Sequence, residues 1–347
     1  MNTRKPSVLL IYTGGTIGMI ENPETGALEN FDFDHLKTFV PELKRFNMNI
    51  DSFQFNPPID SSDMDPAFWV DMTKIVERNY HKYDGFVILH GTDTMSYTAS
   101  ALSFMLENVN KPVILTGSQL PIGKLRTDGK ENLLTAIEIA AAYNEDGTPI
   151  VPEVCVFFEN HLMRGNRTVK HNAENFNAFN SFNYPPLATV GIHIKYEHSF
   201  IRKVTPDQQF KAHYLFDPNI AVITLYPGIQ ESVVTPLFNN TNVKAFVLRT
   251  YGAGNAPQKP WLIRLIKDAT ARGVIVVNIT QCDAGTVEMQ RYETGLHLLD
   301  AGVISGYDST TECAITKLMF LIGHGYDYDT IRNLMQTSIA GEITKLS

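Results

Sequence analysis

Short runs of Val, Ile, Leu and Phe recur along the chain, at residues 8–12, 86–89, 113–115, 154–158, 221–225, 246–248 and 274–279. Several are almost unbroken by polar residues, which is the pattern of strands covered on both faces. Such strands belong to parallel sheets, where each neighbouring pair needs a crossover, usually a helix, between its members. Helical patterns lie where the crossovers should be. Asp65-Pro66 reads as an N-cap followed by Pro at the first helical position, opening a segment in which Phe68, Met72, Ile75 and Val76 recur at helical spacing. Residues 95–106 and 131–143, rich in Ala and Leu, predict two more helices, and 310–322 and 329–336 predict helices near the C-terminus. The first half is therefore expected to be a mostly parallel sheet with helices on both faces.

Residues 184–217 break this rhythm with Pro185-Pro186, the alternation of His193, Lys195 and Glu197, and then Pro206. They read as an edge hairpin and linker, after which the α/β alternation resumes. A length of 347 residues favours two domains over one. The expected division is a catalytic α/β domain at 1–190, a hairpin and linker at 191–217, and a C-terminal α/β domain at 218–347.

Lys and Arg number 29 against 37 Asp and Glu, a net charge of −8, so a phosphate backbone would meet repulsion and nucleic acid is not an expected partner. The basic start at Arg4-Lys5 is followed by an apolar run too short for a secretory signal, and no stretch reaches membrane-spanning length, so no membrane association is expected. Cys155, Cys282 and Cys313 are odd in number and widely spaced, which fits reduced thiols and a cytoplasmic location. Ten histidines show no H-E-x-x-H and no close pair at ligand spacing, so no metal or other cofactor is expected.

Four polar clusters could carry chemistry. The first strand runs into Thr13-Gly14-Gly15-Thr16-Ile17-Gly18, where glycines allow a tight turn and close approach to a ligand at the carboxyl end of a parallel strand. It satisfies neither G-x-G-x-x-G nor the phosphate-loop pattern. His90-Gly91-Thr92-Asp93-Thr94 ends a second strand and opens a helix, which Thr92 and Asp93 are also suited to cap. Two hydroxyl-bearing turns at the ends of two strands of one sheet point to a site, because a Thr nucleophile needs a base and an orienting group brought to it. Asp60-Ser61-Ser62-Asp63 doubles as a turn and cap, and Arg164-Gly165-Asn166-Arg167-Thr168-Val169-Lys170 ends on a lysine whose ordinary role is a solvated charge.

Taken together these clusters resemble the bacterial-type L-asparaginases, in particular their cytoplasmic type I branch. The resemblance extends to Thr116-Gly117-Ser118-Gln119 and Tyr251-Gly252-Ala253-Gly254-Asn255-Ala256-Pro257. It implies a larger N-terminal and a smaller C-terminal α/β domain, assembled as homodimers or homotetramers. It also implies hydrolysis of L-asparagine to L-aspartate and ammonia through an acyl-enzyme, with Thr16 as nucleophile and Thr92, Asp93 and Lys170 moving protons. Ser61 and Asp93 would hold the α-carboxylate and α-amino ends of the substrate, with Ser62 a further candidate. The backbone at Gly91, Thr92 and Ser118 would contribute to recognition of the amide and oxyanion. Asn255 matches a position through which a neighbouring subunit completes the site in related enzymes.

One departure stands out. The family supplies a lid Tyr shortly after the nucleophile, whereas here no Tyr occurs between Tyr12 and Tyr80. Residues 21–31 are expected to form a mobile loop over Thr16, with Phe31 as the covering aromatic, Phe33 as its substitute, and Glu29 as the acid to suspect if the loop takes part in chemistry. The competing readings are a glutamine-preferring amidohydrolase, the asparaginase-like subunit of a tRNA-dependent amidotransferase, and a catalytically silent amino-acid sensor. The retained Thr16, Thr92, Asp93 and Lys170 weigh against the sensor, because binding alone requires no nucleophile.

Overall fold

The computed structural model describes residues 4–21, 28–30, 39–204 and 207–344. It divides into two units, residues 1–213 and 214–347. In the first unit, strand β1 (Ser7–Tyr12) leads through a one-turn helix to a short antiparallel ribbon of β2 (Met19–Glu21) and β3 (Leu28–Asn30). Then follow β4 (Asn49–Gln54), α1 (Pro66–Asn79), β5 (Gly85–Leu89), α2 (Met95–Met105), β6 (Leu106–Glu107), β7 (Val113–Thr116), α3 (Gly129–Ala140) and β8 (Val154–Phe158). The unit continues with β9 (His161–Arg164), β10 (Val169–Lys170), β11 (Phe179–Asn180), β12 (Ala188–Val190), β13 (Ile194–Tyr196) and β14 (Lys211–Ala212).

The main sheet has eight strands in the order β13-β12-β9-β8-β7-β5-β1-β4. The five strands from β4 to β8 are parallel and the other three pair antiparallel. From β1 the chain steps outward to β4 on one side and then returns to β5 on the other. The strand order thus reverses at β1, and open α/β sheets bind ligands beyond the carboxyl ends of strands at such a reversal. The loops leaving β1 and β5 are the T-G-G-T and H-G-T-D-T segments. Val8, Leu10, Val87, Leu89 and Ile114 of the sheet pack with Leu133, Ile137 and Ala140 of α3 in one buried core.

The second unit contains β15 (Ile220–Thr224), α4 (Glu231–Phe238), β16 (Ala245–Thr250), α5 (Pro260–Ala271), β17 (Ile275–Thr280), α6 (Glu293–Asp300), β18 (Ile304–Ser305), α7 (Thr311–Gly323) and α8 (Tyr328–Met335). Its sheet is parallel, in the order β15-β16-β17-β18. Ile223, Phe246, Leu248 and Val276 pack with Val234, Phe238, Leu262 and Ile266 from α4 and α5. The expected α/β class, with a larger N-terminal sheet and a smaller C-terminal one, is the observed fold.

Two features depart from the sequence reading. The edge strand β4 has the sequence NIDSFQ with most residues exposed, so it lacks the apolar run that marks the buried strands. It is held by parallel pairing along the whole of β1. The hairpin of 184–217 is present, but β12 and β13 extend the first unit's own sheet through β9, and the division between units falls at 213/214.

Candidate active site

Four glycines bring the polar clusters together. Gly14 and Gly15 adopt φ of 139° and 90°, conformations that only glycine enters without strain. A Cβ on Gly15 would sit 2.5 Å from both Cα and N of Gly91, and one on Gly14 would sit 2.1 Å from the Ile59 carbonyl oxygen. A Cβ on Gly91 would lie 2.4 Å from Ser61 Oγ, and one on Gly117 would lie 2.4 Å from the His90 carbonyl oxygen. The turns after β1, β5 and β7 are therefore stacked backbone against backbone, and the Ser61 side chain packs on Gly91. Their registers are fixed by Ile59 N–H to Thr13 O at 2.6 Å, Thr13 N–H to Leu89 O at 3.0 Å and His90 N–H to Thr116 O at 2.9 Å.

Thr16 opens a one-turn helix, Thr16–Gly18, and is half-buried while Ile17 and Gly18 are buried. Tyr12 Oη donates to the Gly18 carbonyl at 3.1 Å, tying the turn back to β1. Burial pushes the Tyr12 phenol well above its ordinary pKa, so it remains a neutral donor.

The second group is fully formed. Lys170 Nζ donates to Thr92 Oγ1 at 2.8 Å and to Asp93 Oδ1 at 2.7 Å. The Lys170 side chain is 17% exposed and that of Asp93 is 65% exposed, so the ammonium is largely sheltered while its counter-charge faces water. With Lys170 donating to it, Thr92 Oγ1 directs its own proton to Gln119 Oε1 at 3.2 Å. Gln119 Nε2 in turn donates to the carbonyls of Ala173 and Asn175 at 3.1 and 3.2 Å. The sequence reading did not place Gln119 in the site, although it ends the T-G-S-Q segment that the resemblance had singled out.

His90 opens the H-G-T-D-T cluster, but the sequence reading gave it no role of its own. It is fully buried, with Nδ1 2.6 Å from the Gly91 carbonyl and Nε2 2.9 Å from Thr98 Oγ1. A carbonyl only accepts, so Nδ1 carries the proton and Nε2 accepts from Thr98, whose oxygen accepts from Trp69 Nε1 at 3.0 Å. Burial lowers the His90 pKa to about 4, leaving a neutral ring that fixes the Gly91 carbonyl.

Ser61 is buried beside Gly91, and its carbonyl accepts from Thr94 Oγ1 at 2.7 Å. Ser62 is exposed, and its backbone N–H and hydroxyl both donate to Asp60 Oδ1 at 2.9 and 3.0 Å, so its side chain is engaged in capping its own turn. Among the described residues no three His, Cys, Asp or Glu side chains are grouped to hold a metal ion, and no helix is long and apolar enough to cross a membrane.

Comparison with known proteins matches residues 7–202 to the asparaginase N-terminal family and residues 219–335 to the glutaminase/asparaginase C-terminal domain. The chain belongs to the asparaginase family. It is 45% identical to L-asparaginase 1 of Escherichia coli (strain K12), over 98% of this chain and 99% of that protein. The crystal structure of L-asparaginase I from Vibrio cholerae superposes with a TM-score of 0.89 at 44% identity, covering 99% of this chain and all (100%) of that one. The thermostable L-asparaginase of Thermococcus kodakarensis gives a TM-score of 0.89 at 35% identity, covering 98% and 100%.

Within this asparaginase fold, Ser118 is buried and its hydroxyl donates to the Leu120 carbonyl at 2.5 Å. Asn255 belongs to the second unit, where its Oδ1 accepts from Thr294 Oγ1 at 2.7 Å. The Phe31 and Phe33 expected to cover Thr16 lie outside the described residues. Of the segment 21–31, expected to be a mobile loop, the described residues Glu21 and 28–30 lie in the paired strands β2 and β3, with Glu21 opposite Leu28.

Proposed function

We propose that this chain hydrolyses the side-chain amide of L-asparagine to L-aspartate and ammonia. The observation that carries the reading is the Lys170 ammonium held on Thr92 and Asp93 at 2.8 and 2.7 Å, directly after the Gly91 backbone on which the nucleophile turn rests. Thr16 Oγ1 forms a bond to the amide carbon and the carbon–nitrogen bond breaks. The proton lost from Thr16 leaves on the nitrogen as part of ammonia, by way of the Thr92 hydroxyl. Water then attacks the resulting ester, releases aspartate and returns a proton to Thr16. Lys170 favours a more anionic Thr92 oxygen while Asp93 keeps the ammonium in place. Ser61 and Asp93 are the candidates for the α-carboxylate and α-amino ends, and the backbone at Gly91, Thr92 and Ser118 for the amide and oxyanion.

Asparagine is preferred over glutamine because an added methylene moves the reacting carbon away from Thr16, a difference worth about 1 to 3 kcal/mol in a closed pocket. Self-association into dimers or tetramers, with Asn255 serving a neighbouring copy, and a cytoplasmic location belong to the same reading. They rest on the family resemblance and are checked by sedimentation and by cell fractionation.

The deciding experiment is ammonia release from asparagine and glutamine over a concentration series, before and after thorough chelation, for the wild type and for Thr16→Val and Thr92→Val. Each variant removes one hydroxyl from a nearly isosteric side chain. Each is expected to keep less than about a hundredth of the rate, the scale of a positioned acid–base or nucleophilic group. Faster turnover of glutamine, loss of activity on chelation, or substantial turnover by either variant would sink this reading.

A further inference from the structure

The turn that carries Thr16 has little rigidity of its own. Gly14, Gly15 and Gly18 make up three of the five residues from 14 to 18, and glycine has the widest backbone freedom of any residue. The helix Thr16–Gly18 is a single turn whose N-cap, Gly15, offers no side chain to accept from it. A helix that short does not hold itself, so tertiary contacts must fix it. On its N-terminal side Gly14 and Gly15 lie against Ile59 and Gly91, and at its centre Ile17 is buried in the core of the first unit. On its C-terminal side the Gly18 N–H donates to the Gly15 carbonyl at 3.1 Å, and the Gly18 carbonyl accepts from Tyr12 Oη, also at 3.1 Å. Among the described residues, that phenol makes the one side-chain hydrogen bond onto the backbone of residues 15–18.

Tyr12 reaches this carbonyl from the last position of β1. It shares a core-facing side of that strand with Val8 and Leu10 and is 2% exposed. A Cβ on Gly18 would lie 2.1 Å from Oη, 2.3 Å from Cζ and 2.5 Å from Cε2 of Tyr12, so ring and turn touch directly. Gly18 is in a helical conformation open to any residue, and its glycine therefore serves this close approach rather than an unusual φ. The hydroxyl satisfies a terminal carbonyl that has no partner inside the helix. Core packing accounts for an aromatic ring at position 12, which Phe would supply equally well. It does not account for a hydroxyl aimed at the end of the nucleophile turn.

We propose that Tyr12 is a positioning residue for the nucleophile: its hydroxyl clamps the end of the one-turn helix to β1 and so holds Thr16 where it can attack. The inference rests on Thr16 being the nucleophile. Strand β1 is paired with β5, Tyr12 lying opposite Leu89, and β5 leads into Thr92 and Asp93. The clamp thus refers Thr16 to the same pair of strands that carries the second catalytic group. The Tyr12 proton is committed to the Gly18 carbonyl, so the phenol takes no part in proton transfer. The substrate is gripped elsewhere in the reading above, by Ser61 and Asp93, so losing the clamp lowers turnover rather than binding.

The test is steady-state asparagine kinetics with thermal unfolding for Tyr12→Phe, Gly18→Ala, the double variant and Thr16→Val. Tyr12→Phe removes one oxygen and keeps the ring. The expected result is a kcat lowered by about tenfold or more with KM within about twofold of wild type, an unchanged shape of the pH–rate profile and a thermal midpoint close to wild type. Gly18→Ala breaks the same contact from the other side and should lower kcat at least as far. In the double variant the two losses should not multiply, because either change alone already breaks the contact. A wild-type kcat in Tyr12→Phe, or a loss carried by KM, overturns the proposal. So does a lowered midpoint with kcat per folded enzyme unchanged, which marks the bond as structural only, and so do losses that multiply. A pH–rate profile that loses one limb overturns it as well, since the phenol would then be moving a proton. If Tyr12→Phe does not fold, the split between kcat and KM in Gly18→Ala decides the matter. High residual turnover by Thr16→Val would instead defeat the nucleophile assignment, whatever the Tyr12 variants do.

Discussion

A histidine with no solvent contact has to choose one charge state, and His90 shows what that choice costs. Its ring donates to Gly91 O at 2.6 Å and accepts from Thr98 at 2.9 Å, and both bonds require the neutral form. An unfolded chain takes up a proton here below about pH 6.5, while the folded protein resists until about 4. The stability contributed by the neutral ring is therefore full above about pH 6.5 and is lost progressively as pH falls toward about 4. By linkage the total is about 3 kcal/mol. Urea unfolding between pH 7 and 4.5 should show this slope in the wild type and a flatter one in His90→Gln, which cannot titrate, and equal slopes would place the effect elsewhere. The H-G-T-D-T cluster marked His90, but not its burial or its partner Thr98, eight residues on along the chain. The four residues Thr16, Thr92, Asp93 and Lys170 were named through the family's local words rather than through periodicity. Lys170 sits within hydrogen-bond reach of both Thr92 and Asp93 although 77 residues and more separate it from them.

In the first unit, the strands that were readable from the sequence are those that are almost wholly buried. Strands β1, β5, β7 and β8 are apolar on both faces and declared themselves as Val, Ile, Leu and Phe runs, and α1 declared itself by Asp65, whose carboxylate accepts from the N–H groups of Ala67 and Phe68. Strand β4 escaped because it lies at the edge and exposes most of its side chains, leaving the β1 backbone to hold it. The contact between turns was equally hidden. Glycines in T-G-G-T announce a tight turn, but not that Gly15 lies against Gly91 with no room for a methyl group. Gly15→Ala should therefore fail on two counts, a φ of 90° and a Cβ 2.5 Å from the Gly91 backbone. The neighbour is main chain and cannot swing aside, so a loss of several-fold or more in kcat and a destabilisation of about 1 to 3 kcal/mol are expected. Gly147→Ala is the control, because its φ is also positive, at 83°, but nothing lies within 4 Å of the added carbon. Comparable loss of turnover in both variants would mean that strain alone, rather than the close approach of the two turns, explains the glycine at position 15.

At the scale of the molecule, a mixed sheet in the first unit and a parallel one in the second have separate cores, and the sequence shows two blocks of α/β alternation with a Pro-rich interval between them. The sequence did not disclose how the second unit secures its own end. Lys317 on α7 and Glu342 are 1% and 0% exposed and hydrogen-bonded to one another, and Lys317 Nζ also donates to the Thr337 carbonyl at 2.7 Å. Glu342 accepts from the N–H groups of Ile339 and Ala340, and Asp308 receives Thr344 N–H at 2.9 Å, so residues 337–344 are pinned at several points. Burial alone would raise the Glu342 pKa, but the Lys317 ammonium and these donors outweigh it and hold the carboxyl below its ordinary value. The stability that follows is present above the ordinary carboxylate pKa and is lost as pH falls through the lowered one. Lys317→Met strands a buried carboxylate, and Glu342→Leu leaves a buried ammonium without its counter-charge. Each should cost about 3 to 5 kcal/mol, while the double variant Lys317→Met with Glu342→Leu should recover much of the loss, because two well-packed apolar groups no longer need one another. Urea unfolding of the four proteins measures the coupling. Additive losses would show that the pair acts as two independent packing residues and that the 337–344 segment is held by its backbone bonds alone.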